Sequence, residues 1–541
     1  MRHNNIFVCI AVVILCAAAA LSASVCTNGK DEEAGVSGMN VMQLYSGRVG
    51  GQQEDGIWTY LGIPYAAPPV GELRWREPQP VEPWDDILYC SDFGLACPQP
   101  ETPIYDVGKT SEDCLYLNVW TPAASPGERL PVMVWIHGGS FTTGAASLDT
   151  YDGGNLAEQG VVFVSFNYRI GPFGYMCHPS LSAESEHGVS GNYGLLDQIA
   201  ALEWVQENIA AFGGDPERVT VCGQSAGAIS IIDMMVSPLA EGLFDRAISE
   251  SGSFYLAYPT GWATAQARED TLDKAYVTGE KIAVGLGCDK AGDVATAMRE
   301  KPADEVLTAA FDDYEAHTGV RFRPVVDGWA IPDDPATLFG TGKHMDVPLL
   351  IGTNSDEGSL FLYGLKMTPQ EYAGLMEAAY GPYAQEVLAL FPPGRSEAEV
   401  LNALDDVITV MGFAAGARYA AACMEGKASD AYLYRFTRNP DLPLLGQFGV
   451  FHGLEIFYVF GNFMQEVEDV AGNPVDTGLS RTMMAYWVNF TATGDPNGEG
   501  LEAWPAYTSA ADQYQELGEQ VATRTGWYPQ ARALINEIAG R

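Results

Sequence analysis

Short apolar runs alternate with amphipathic stretches through the middle of this chain. Patterns typical of buried strands lie at residues 131–136, 161–166, 219–221, 247–249, 348–352 and 431–436. Between the second and third runs, apolar residues recur at helical spacing from Leu195 to Ile209, and residues 226–236 also favour a helix. This alternation predicts the α/β class, with a mostly parallel central sheet flanked by helices.

Two longer stretches interrupt the strand series. Residues 254–320 and 368–427 favour helices with acidic faces, and we predict that these insertions form a cap over one edge of the sheet. The chain carries no internal repeat and no low-complexity linker. We therefore predict a single large domain spanning residues 25–541.

The amino terminus has the residue order of a secretory signal. Arg2 and His3 precede an apolar run at 6–20, which small residues follow at 22–24. We predict that residues 1–24 are a signal peptide and that the mature protein is secreted or periplasmic; a retained amino-terminal anchor is the alternative. A lipid anchor on Cys26 is not expected, because Val25 is a poor residue to precede a lipid-modified cysteine.

The acidic balance of the chain limits its partners. The 541 residues have a formal net charge of −41 at pH 7, which predicts a heavily solvated surface that repels nucleic acid and anionic membranes. No Cys-x-x-Cys or His-Glu-x-x-His spacing occurs, so no metal site is expected. No stretch after the signal is expected to be long and apolar enough to insert stably in a membrane, and the oligomeric state stays open.

The most informative local pattern lies at residues 221–227, an apolar run that ends in Gly-x-Ser-x-Gly with Ser225 at its centre. This arrangement holds a serine hydroxyl on a tight strand-to-helix turn, exposed for attack on a carbonyl carbon. The two glycines let the strand and the helix approach closely. Ser225 is therefore the candidate nucleophile.

A serine nucleophile needs a base to take its proton and a carboxylate to orient that base. In hydrolases with this turn, the acid and then the histidine follow the serine along the chain. Asp356 and Glu357 lie on a loop after the strand at 348–352, and chain order does not separate them. Of seven histidines, only His452 follows this loop, which makes it the candidate base.

The segment 137–139, His-Gly-Gly, follows the strand at 131–136 and supplies candidate electrophilic groups. Glycine lets the consecutive N–H groups of Gly138 and Gly139 point into one cavity, and the N–H of Ala226 adds a third donor. Together they would hold the negative oxygen of a tetrahedral intermediate, each donor lowering the barrier by about 3 kcal/mol.

Longer motifs point in the same direction. They are Glu-Asp-Cys-Leu-Tyr-Leu-Asn at 112–118, the Ser225 turn, and the segments 167–169, 191–198 and 487–490. With these motifs the chain resembles the type B carboxylesterases, the cholinesterase-like branch of the α/β-hydrolases, from about Leu61 to Trp504. The first motif is specific to that family. The resemblance implies an α/β-hydrolase fold with one catalytic domain.

The resemblance also implies roles for individual residues. It implies a triad of Ser225, Glu357 and His452, choosing Glu357 over Asp356. The implied oxyanion hole consists of Gly138, Gly139 and Ala226.

Three further residues enter through the same resemblance. It implies a Cys97–Cys114 disulfide, which an oxidising compartment would allow. It also implies that Ser251 supports the triad acid by a hydrogen bond. The pairing of Cys288 in a second family disulfide stays open, because Cys288 matches its first cysteine whereas Ala297 stands at the second position.

Departures from the cholinesterases narrow the expected substrate. Those enzymes stack a tryptophan of the first disulfide loop on a quaternary ammonium, but residues 98–113 contain no tryptophan. They also carry a glutamate just before the nucleophile, where this chain has the uncharged Gln224. Smaller residues at 318–320 replace the bulky aromatics that narrow their acyl pocket.

We therefore expect a serine hydrolase of neutral carboxylic esters that uses no cofactor and has a small-molecule ester as its partner. A lipase, or a hydrolase of polyesters, carbamates or toxin esters, is the alternative within this fold. A non-catalytic adhesion or binding module is the alternative from another class. Asn489 begins a formal glycosylation sequon inside a predicted helix.

Overall fold

The structure is a computed structural model that describes residues 40–102, 104–254, 271–311, 322–440, 446–463 and 472–538. The predicted signal peptide, Cys26 and the acyl-pocket residues 318–320 lie outside the described residues. Parts of the predicted helical insertion at 254–320 lie outside them as well.

Thirteen strands form one sheet within the described residues. The strands are β1 (Asn40–Gln43), β2 (Arg48–Glu54), β3 (Ile57–Pro64), β4 (Ile87–Tyr89), β5 (Tyr116–Thr121), β6 (Leu130–Ile136), β7 (Val162–Phe166), β8 (Gly214–Gln224), β9 (Arg246–Glu250), β10 (Leu349–Asn354), β11 (Ala431–Phe436), β12 (Gln513–Leu517) and β13 (Ala522–Thr525). Their order is β1-β2-β3-β5-β7-β6-β8-β9-β10-β11-β12-β13, with β4 beside β2. Strands from β7 to β12 in this order run parallel, whereas β5 and β13 pair antiparallel at either end of that block.

Helices cover both faces of the sheet. They are α1 (Gly154–Glu158), α2 (Gly171–Tyr175), α3 (Pro179–Glu184), α4 (Tyr193–Asn208), α5 (Ala226–Met234), α6 (Leu272–Gly285), α7 (Val294–Arg299), α8 (Ala303–Phe311), α9 (Pro335–Gly340), α10 (Pro369–Tyr380), α11 (Ala384–Leu390), α12 (Glu397–Val407), α13 (Ala415–Cys423), α14 (Ile456–Phe460), α15 (Pro474–Thr493) and α16 (Pro529–Ile538). A π-helical segment, Ile408–Ala414, joins α12 to α13 without a break.

The central strands are mostly apolar because both of their faces are buried. In β6, Val132 and Val134 pack into one hydrophobic core while Met133 and Trp135 pack into another. Successive side chains of a strand point to opposite faces, so these two cores lie on opposite sides of the sheet. The α/β prediction is confirmed.

The predicted strands are present, and β8 has the largest change of boundary; the boundaries of the others differ by two residues at most. Strand β8 begins at Gly214, five residues before the predicted start at 219, and pairs there with Leu130. The predicted helix at 195–212 ends as an α-helix at Asn208, and a single 3₁₀ turn continues it to Phe212. Gly213 then takes a positive φ of 80°, which ends that turn and frees the next residue for the sheet.

Helices α10 to α12 enclose a third hydrophobic core with α16. The stretch Glu397–Cys423 passes a length and composition test for a membrane span, so the expectation that no later stretch would do so is wrong. However, 78% of its most apolar window is buried inside the protein. Its apolar surface is therefore used for packing within the fold.

Two motifs that carried the family resemblance meet in a buried ion pair. Arg169 follows β7 and Asp197 lies on α4, and both side chains are almost completely buried. The guanidinium donates two parallel hydrogen bonds of 2.7 Å to the carboxylate, and the backbone N–H of Arg169 adds a third. The pairing fixes α4 against the end of β7, close to the edge where the candidate site lies.

Candidate active site

The candidate site lies at the carboxyl ends of the parallel strands. Gly138 follows β6, Ser225 follows β8, Glu357 follows β10, and His452 lies between β11 and α14. In open α/β sheets, this edge is where ligands and reacting groups collect. The fold therefore brings together the residues that the sequence singled out from distant parts of the chain.

Ser225 occupies the turn between β8 and α5 with φ 56° and ψ −118°, a conformation that costs a non-glycine residue on the order of 1–3 kcal/mol. Its N–H donates to Glu250 O at 2.9 Å and its carbonyl accepts from Ile229 N at 2.9 Å, so both backbone groups are held. A Cβ added to Gly223 would lie 2.8 Å from Ile136 O. Glycine is thus needed for β6, β8 and α5 to meet at this turn.

Glu357 and His452 are in hydrogen-bonding contact. The Nδ1 atom of His452 lies 2.6 Å from Oε2 of Glu357, whose side chain is fully buried. The other carboxylate oxygen accepts from the N–H of Asn354 at 2.7 Å. The buried carboxylate therefore has a fixed direction and orients the imidazole through Nδ1, which leaves Nε2 for the side of Ser225.

Asp356 is the other carboxylate that chain order left open, and its contacts differ from those of Glu357. Its Oδ2 accepts from the N–H of Val450 at 2.9 Å, while its own N–H donates to Val450 O at 3.2 Å. Asp356 also forms an isolated parallel bridge with Phe451. It ties the loop of the acid to the segment that carries His452.

Gln224 contacts the imidazole directly, which the sequence did not predict. Its Nε2 lies 3.3 Å from Nε2 of His452, and the side chain is buried. With Nδ1–H directed at Glu357, the free Nε2 of a neutral imidazole accepts a hydrogen bond from the amide. Gln224 thus joins His452 to the end of β8, one residue before Ser225.

The three predicted oxyanion donors surround Ser225. Gly138 packs so closely that an added Cβ would lie 3.1 Å from the Cβ of Ser225, and Gly139 has a positive φ of 109°. Ala226 is the first residue of α5, where N–H groups lack partners within the helix. Among the described residues, the N–H groups of all three have no protein acceptor.

His137 holds the loop that carries two of these donors. Its side chain is buried, and burial lowers its pKa to about 4, so the ring is neutral. Its Nδ1 lies 2.8 Å from Gly138 O, and because a carbonyl only accepts, the proton of the ring is on Nδ1. Tyr168 stacks on the ring and donates to His137 O at 2.8 Å.

Ser251 does not play the predicted part directly. Its hydroxyl donates to Oε1 of Glu455 at 3.2 Å rather than to Glu357. Glu455 is fully buried three residues after His452, and its second oxygen accepts from the side-chain amide of Asn354. Since the N–H of Asn354 binds Glu357, Ser251 reaches the candidate acid only through Glu455 and Asn354.

Glu250 is a further buried carboxylate next to the site. Its Oε1 accepts from Trp487 Nε1 at 2.7 Å and from the thiol of Cys222 at 3.4 Å, whereas its Oε2 has no hydrogen-bond partner among the residues that the structure describes. Burial, and then the charge of Glu455, raise the pKa of Glu250 to about 8. Burial, and then the charge of Glu357, raise the pKa of Glu455 to about 7.

Aromatic rings enclose the imidazole from two sides. The ring centroids of Phe361 and Phe413 each lie 5.1 Å from that of His452. Phe413 belongs to the π-helical segment, and Thr409 of the same segment accepts from the N–H of Glu357 at 2.9 Å. One short segment therefore contacts both the candidate base and the loop of the candidate acid. π-Helical turns occur frequently at functional sites.

The described cysteines include one disulfide that the family resemblance implies and one buried thiol, Cys288. Cys97 and Cys114 form a disulfide, as predicted. Cys288 is a buried thiol that donates to Leu286 O, and Ala297 packs beside the core.

Asn489 lies within α15, and its side-chain amide donates to Pro496 O at 3.2 Å. Within the described ranges, no group of three or more His, Cys, Asp or Glu side chains is arranged to hold a metal ion.

The raised pKa values predict a pH dependence of stability. The unfolded chain releases the Glu250 proton near pH 4.5, whereas the folded protein keeps it to about pH 8. The folded state then binds more protons, so stability falls as pH rises through this window, by about 1.4 kcal/mol per pH unit for one proton. Glu250→Gln keeps an acceptor for Trp487 and carries no proton to lose.

We expect the urea midpoint of Glu250→Gln to fall less between pH 5 and pH 8 than that of the native protein. Glu499→Gln, at an exposed position, is the matched control and is expected to follow the native curve. If the Glu250→Gln curve also parallels the native one, Glu250 does not hold the proton.

Comparison with known proteins agrees with the geometry. The model of the carboxylesterase family matches residues 39–534. The para-nitrobenzyl esterase of Bacillus subtilis is 38% identical over 482 residues, 85% of this chain and 91% of that protein. The acetylcholinesterase of Bungarus fasciatus is 36% identical over 519 residues, 89% and 83% of the two chains.

A solved structure gives the same result for the fold. A thermophilic PNB esterase superposes with a TM-score of 0.80 at 36% identity, covering 92% of this chain and 99% of its own. The range matched by the family model, residues 39–534, includes every described strand together with Ser225, Glu357 and His452. The chain belongs to the carboxylesterase family.

Proposed function

We propose that this protein is a serine carboxylesterase that hydrolyses neutral esters through an acyl-enzyme intermediate. The observation that carries the proposal is the 2.6 Å contact between Glu357 and His452 at the strand edge that also presents Ser225. The three N–H groups without protein acceptors beside Ser225 support the same chemistry. A small-molecule ester is the partner that this site fits.

In the first half of the reaction, Ser225 Oγ attacks the ester carbonyl while Nε2 of His452 takes its proton. Glu357 accepts from Nδ1–H and stabilises the imidazolium that forms. The N–H groups of Gly138, Gly139 and Ala226 bind the negative oxygen of the tetrahedral intermediate. The imidazolium then protonates the leaving alcohol, and the acyl group stays on Ser225.

The second half runs the same steps with water as the nucleophile. His452 takes a proton from water, the hydroxide attacks the acyl carbonyl, and the same three donors hold the second tetrahedral oxygen. Proton return to Ser225 Oγ releases the carboxylic acid. The transient positive charge lies between two phenylalanine rings, Phe361 and Phe413, whose faces favour a cation.

The choice between two adjacent carboxylates is directly testable. Glu357→Gln keeps the shape of the acid but loses its charge, and we expect kcat for a nitrophenyl ester to fall on the order of 10⁴-fold. Asp356→Asn is the matched neighbour and is expected to retain most of the activity, because Asp356 serves the backbone of Val450.

Labelling of Ser225 by a fluorophosphonate probe provides the control for the nucleophile. Folded native protein is expected to be labelled, and Ser225→Ala is not. Failure of the native protein to label would favour a non-catalytic binding module, and a larger loss in Asp356→Asn than in Glu357→Gln would overturn the assignment of the acid.

The preference for neutral esters rests on what lies beside the base. Gln224, which contacts His452, carries no charge, and the loop at 98–113 contains no tryptophan to stack on a quaternary ammonium. Two further carboxyl groups beside the site, Glu250 and Glu455, are fully buried. Burial keeps them protonated at least in part, so a cationic alcohol gains little from them.

A matched pair of substrates isolates the effect of charge. Acetylthiocholine and its uncharged analogue, 3,3-dimethylbutyl thioacetate, differ only in the central nitrogen or carbon atom. We expect kcat/KM to be at least as high for the neutral ester, and Gln224→Glu to shift the ratio toward the cation. A strong native preference for the choline ester would contradict the proposal, and a steep rise with micellar, long acyl chains would favour a lipase.

We also propose that the chain is exported. The signal pattern at 1–24 and the buried Cys97–Cys114 disulfide support this location, because disulfides persist in oxidising compartments. Mass spectrometry of protein from the native host is expected to find a mature amino terminus shortly after residue 24. An intact Met1 on the folded, disulfide-bonded protein would contradict cleavage.

A further inference from the structure

The loop that carries two of the oxyanion donors has little regular structure of its own. This oxyanion loop, residues 137–144, is held internally by Gly139 O, which accepts from the N–H groups of Thr142 and Thr143. Gly144 closes the loop with a positive φ of 117°, and a Cβ there would meet the ring of His137. The N–H of Gly171 also donates to Phe141 O at 2.6 Å, and the contacts that hold Gly144 from outside fix the other end of the loop.

Gln99 holds Gly144 through both of its backbone polar groups. The side-chain Nε2 donates to Gly144 O at 2.9 Å, and Oε1 accepts from Gly144 N at 2.8 Å. The same Nε2 also donates to Cys97 O at 3.1 Å, and the side chain is only 8% exposed. A buried amide with three satisfied hydrogen bonds has one direction, so it fixes Gly144 as a neighbouring strand would.

A second contact joins the same two loops. The hydroxyl of Tyr105 lies 2.8 Å from Oγ1 of Thr143, and that Oγ1 donates to Gly139 O at 3.3 Å. Tyr105 and Gln99 both belong to the loop that the disulfide closes. The disulfide loop thus reaches the oxyanion loop at Thr143 and at Gly144.

The disulfide connects this arrangement to the sheet. Cys97 lies two residues before Gln99, and Cys114 lies two residues before strand β5; both are buried. A continuous path therefore runs from β5 through the disulfide and Gln99 to Gly144 and the donors at Gly138 and Gly139.

We infer that Gln99 is a positioning residue for the oxyanion hole and that the Cys97–Cys114 disulfide acts on catalysis through it. The inference rests on the proposed esterase function. The donors bind the tetrahedral oxygen and not the ground-state ester. A displaced loop therefore stabilises the transition state less, while the affinity for the substrate is kept. Loss of Gln99 therefore lowers kcat and leaves KM nearly unchanged.

The test compares two isosteric changes of glutamine to methionine in full-length, disulfide-bonded protein. Gln99→Met is expected to lower kcat and kcat/KM for p-nitrophenyl acetate by about 10- to 100-fold, with little change in KM. The affinity for an aryl trifluoromethyl ketone, which forms a tetrahedral adduct with the serine, is expected to fall in parallel. Gln206→Met is the control, because Gln206 also donates to a backbone carbonyl, that of Leu243, away from the site.

A second variant covers the case in which Gln99→Met fails to fold. Gln99→Glu keeps the acceptor for Gly144 N–H but loses the donors to Gly144 O and Cys97 O, and an intermediate loss of kcat is expected. Native kcat in either folded variant, even with a lowered melting temperature, would overturn the positioning role. A rise in KM at constant kcat would overturn it as well.

The role of the disulfide is tested by a double-mutant cycle. Cys97→Ser with Cys114→Ser is measured alone and together with Gln99→Met. If the disulfide acts through Gln99, the combined loss of kcat is smaller than the product of the separate losses. Independent, multiplicative losses would overturn this part. Absence of ester turnover in the native protein would instead contradict the proposed function, so the two failures are distinguishable.

Discussion

The architecture of the site depends on one close approach, where β6, β8 and α5 meet at Ser225. The serine has a backbone conformation that an L-residue rarely adopts, and glycines on three sides leave no Cβ between the backbones. Because the main chain fixes where the Ser225 side chain starts, the oxyanion donors and the imidazole are aligned with a single position of the hydroxyl. Gly138, at the end of β6, provides one of the oxyanion donors, and Gln224 links the imidazole of His452 to the end of β8. If the turn were less rigid, the hydroxyl would move relative to the oxyanion donors and to His452, and the alignment of the three would be lost.

Electrostatics set the second constraint. Three fully buried carboxylates, Glu357, Glu455 and Glu250, lie in one connected region with a single imidazole. Three buried negative charges would be costly, because burial removes the water that would otherwise solvate each carboxylate. Burial raises the pKa values of Glu250 and Glu455, which favours their protonated forms and reduces the number of negative charges buried in this region. Asn354 partly opposes this shift, because its side-chain amide donates to Glu455 and lowers the pKa of that carboxyl.

Much of the fold and the nucleophile follow from local patterns in the sequence. Apolar runs are strong signals because strands buried on both faces have few polar positions, and Gly-x-Ser-x-Gly describes a single turn. Residue order does not identify the acid, because Asp356 and Glu357 are adjacent. Only their contacts show that Asp356 binds Val450 and that Glu357 binds His452. The tie from Gln99 to Gly144, like the link from Ser251 to Glu455, joins distant segments, and no spacing in one sequence encodes such contacts. The start of β8 was missed because Gly214 and Asp215 are typical of a turn.

The π-helical segment has a consequence for how this region tolerates change in length. A π turn contains one residue more than an α turn, and here the surplus lets Thr409 reach the backbone of Glu357 while Phe413 reaches the ring of His452. Deleting a single residue between Thr409 and Phe413 would remove this surplus and change the positions of the two side chains relative to each other. Such a deletion would preserve helicity and hydrophobicity and still separate the two contacts. In this part of the chain, residue count is under tighter constraint than residue type.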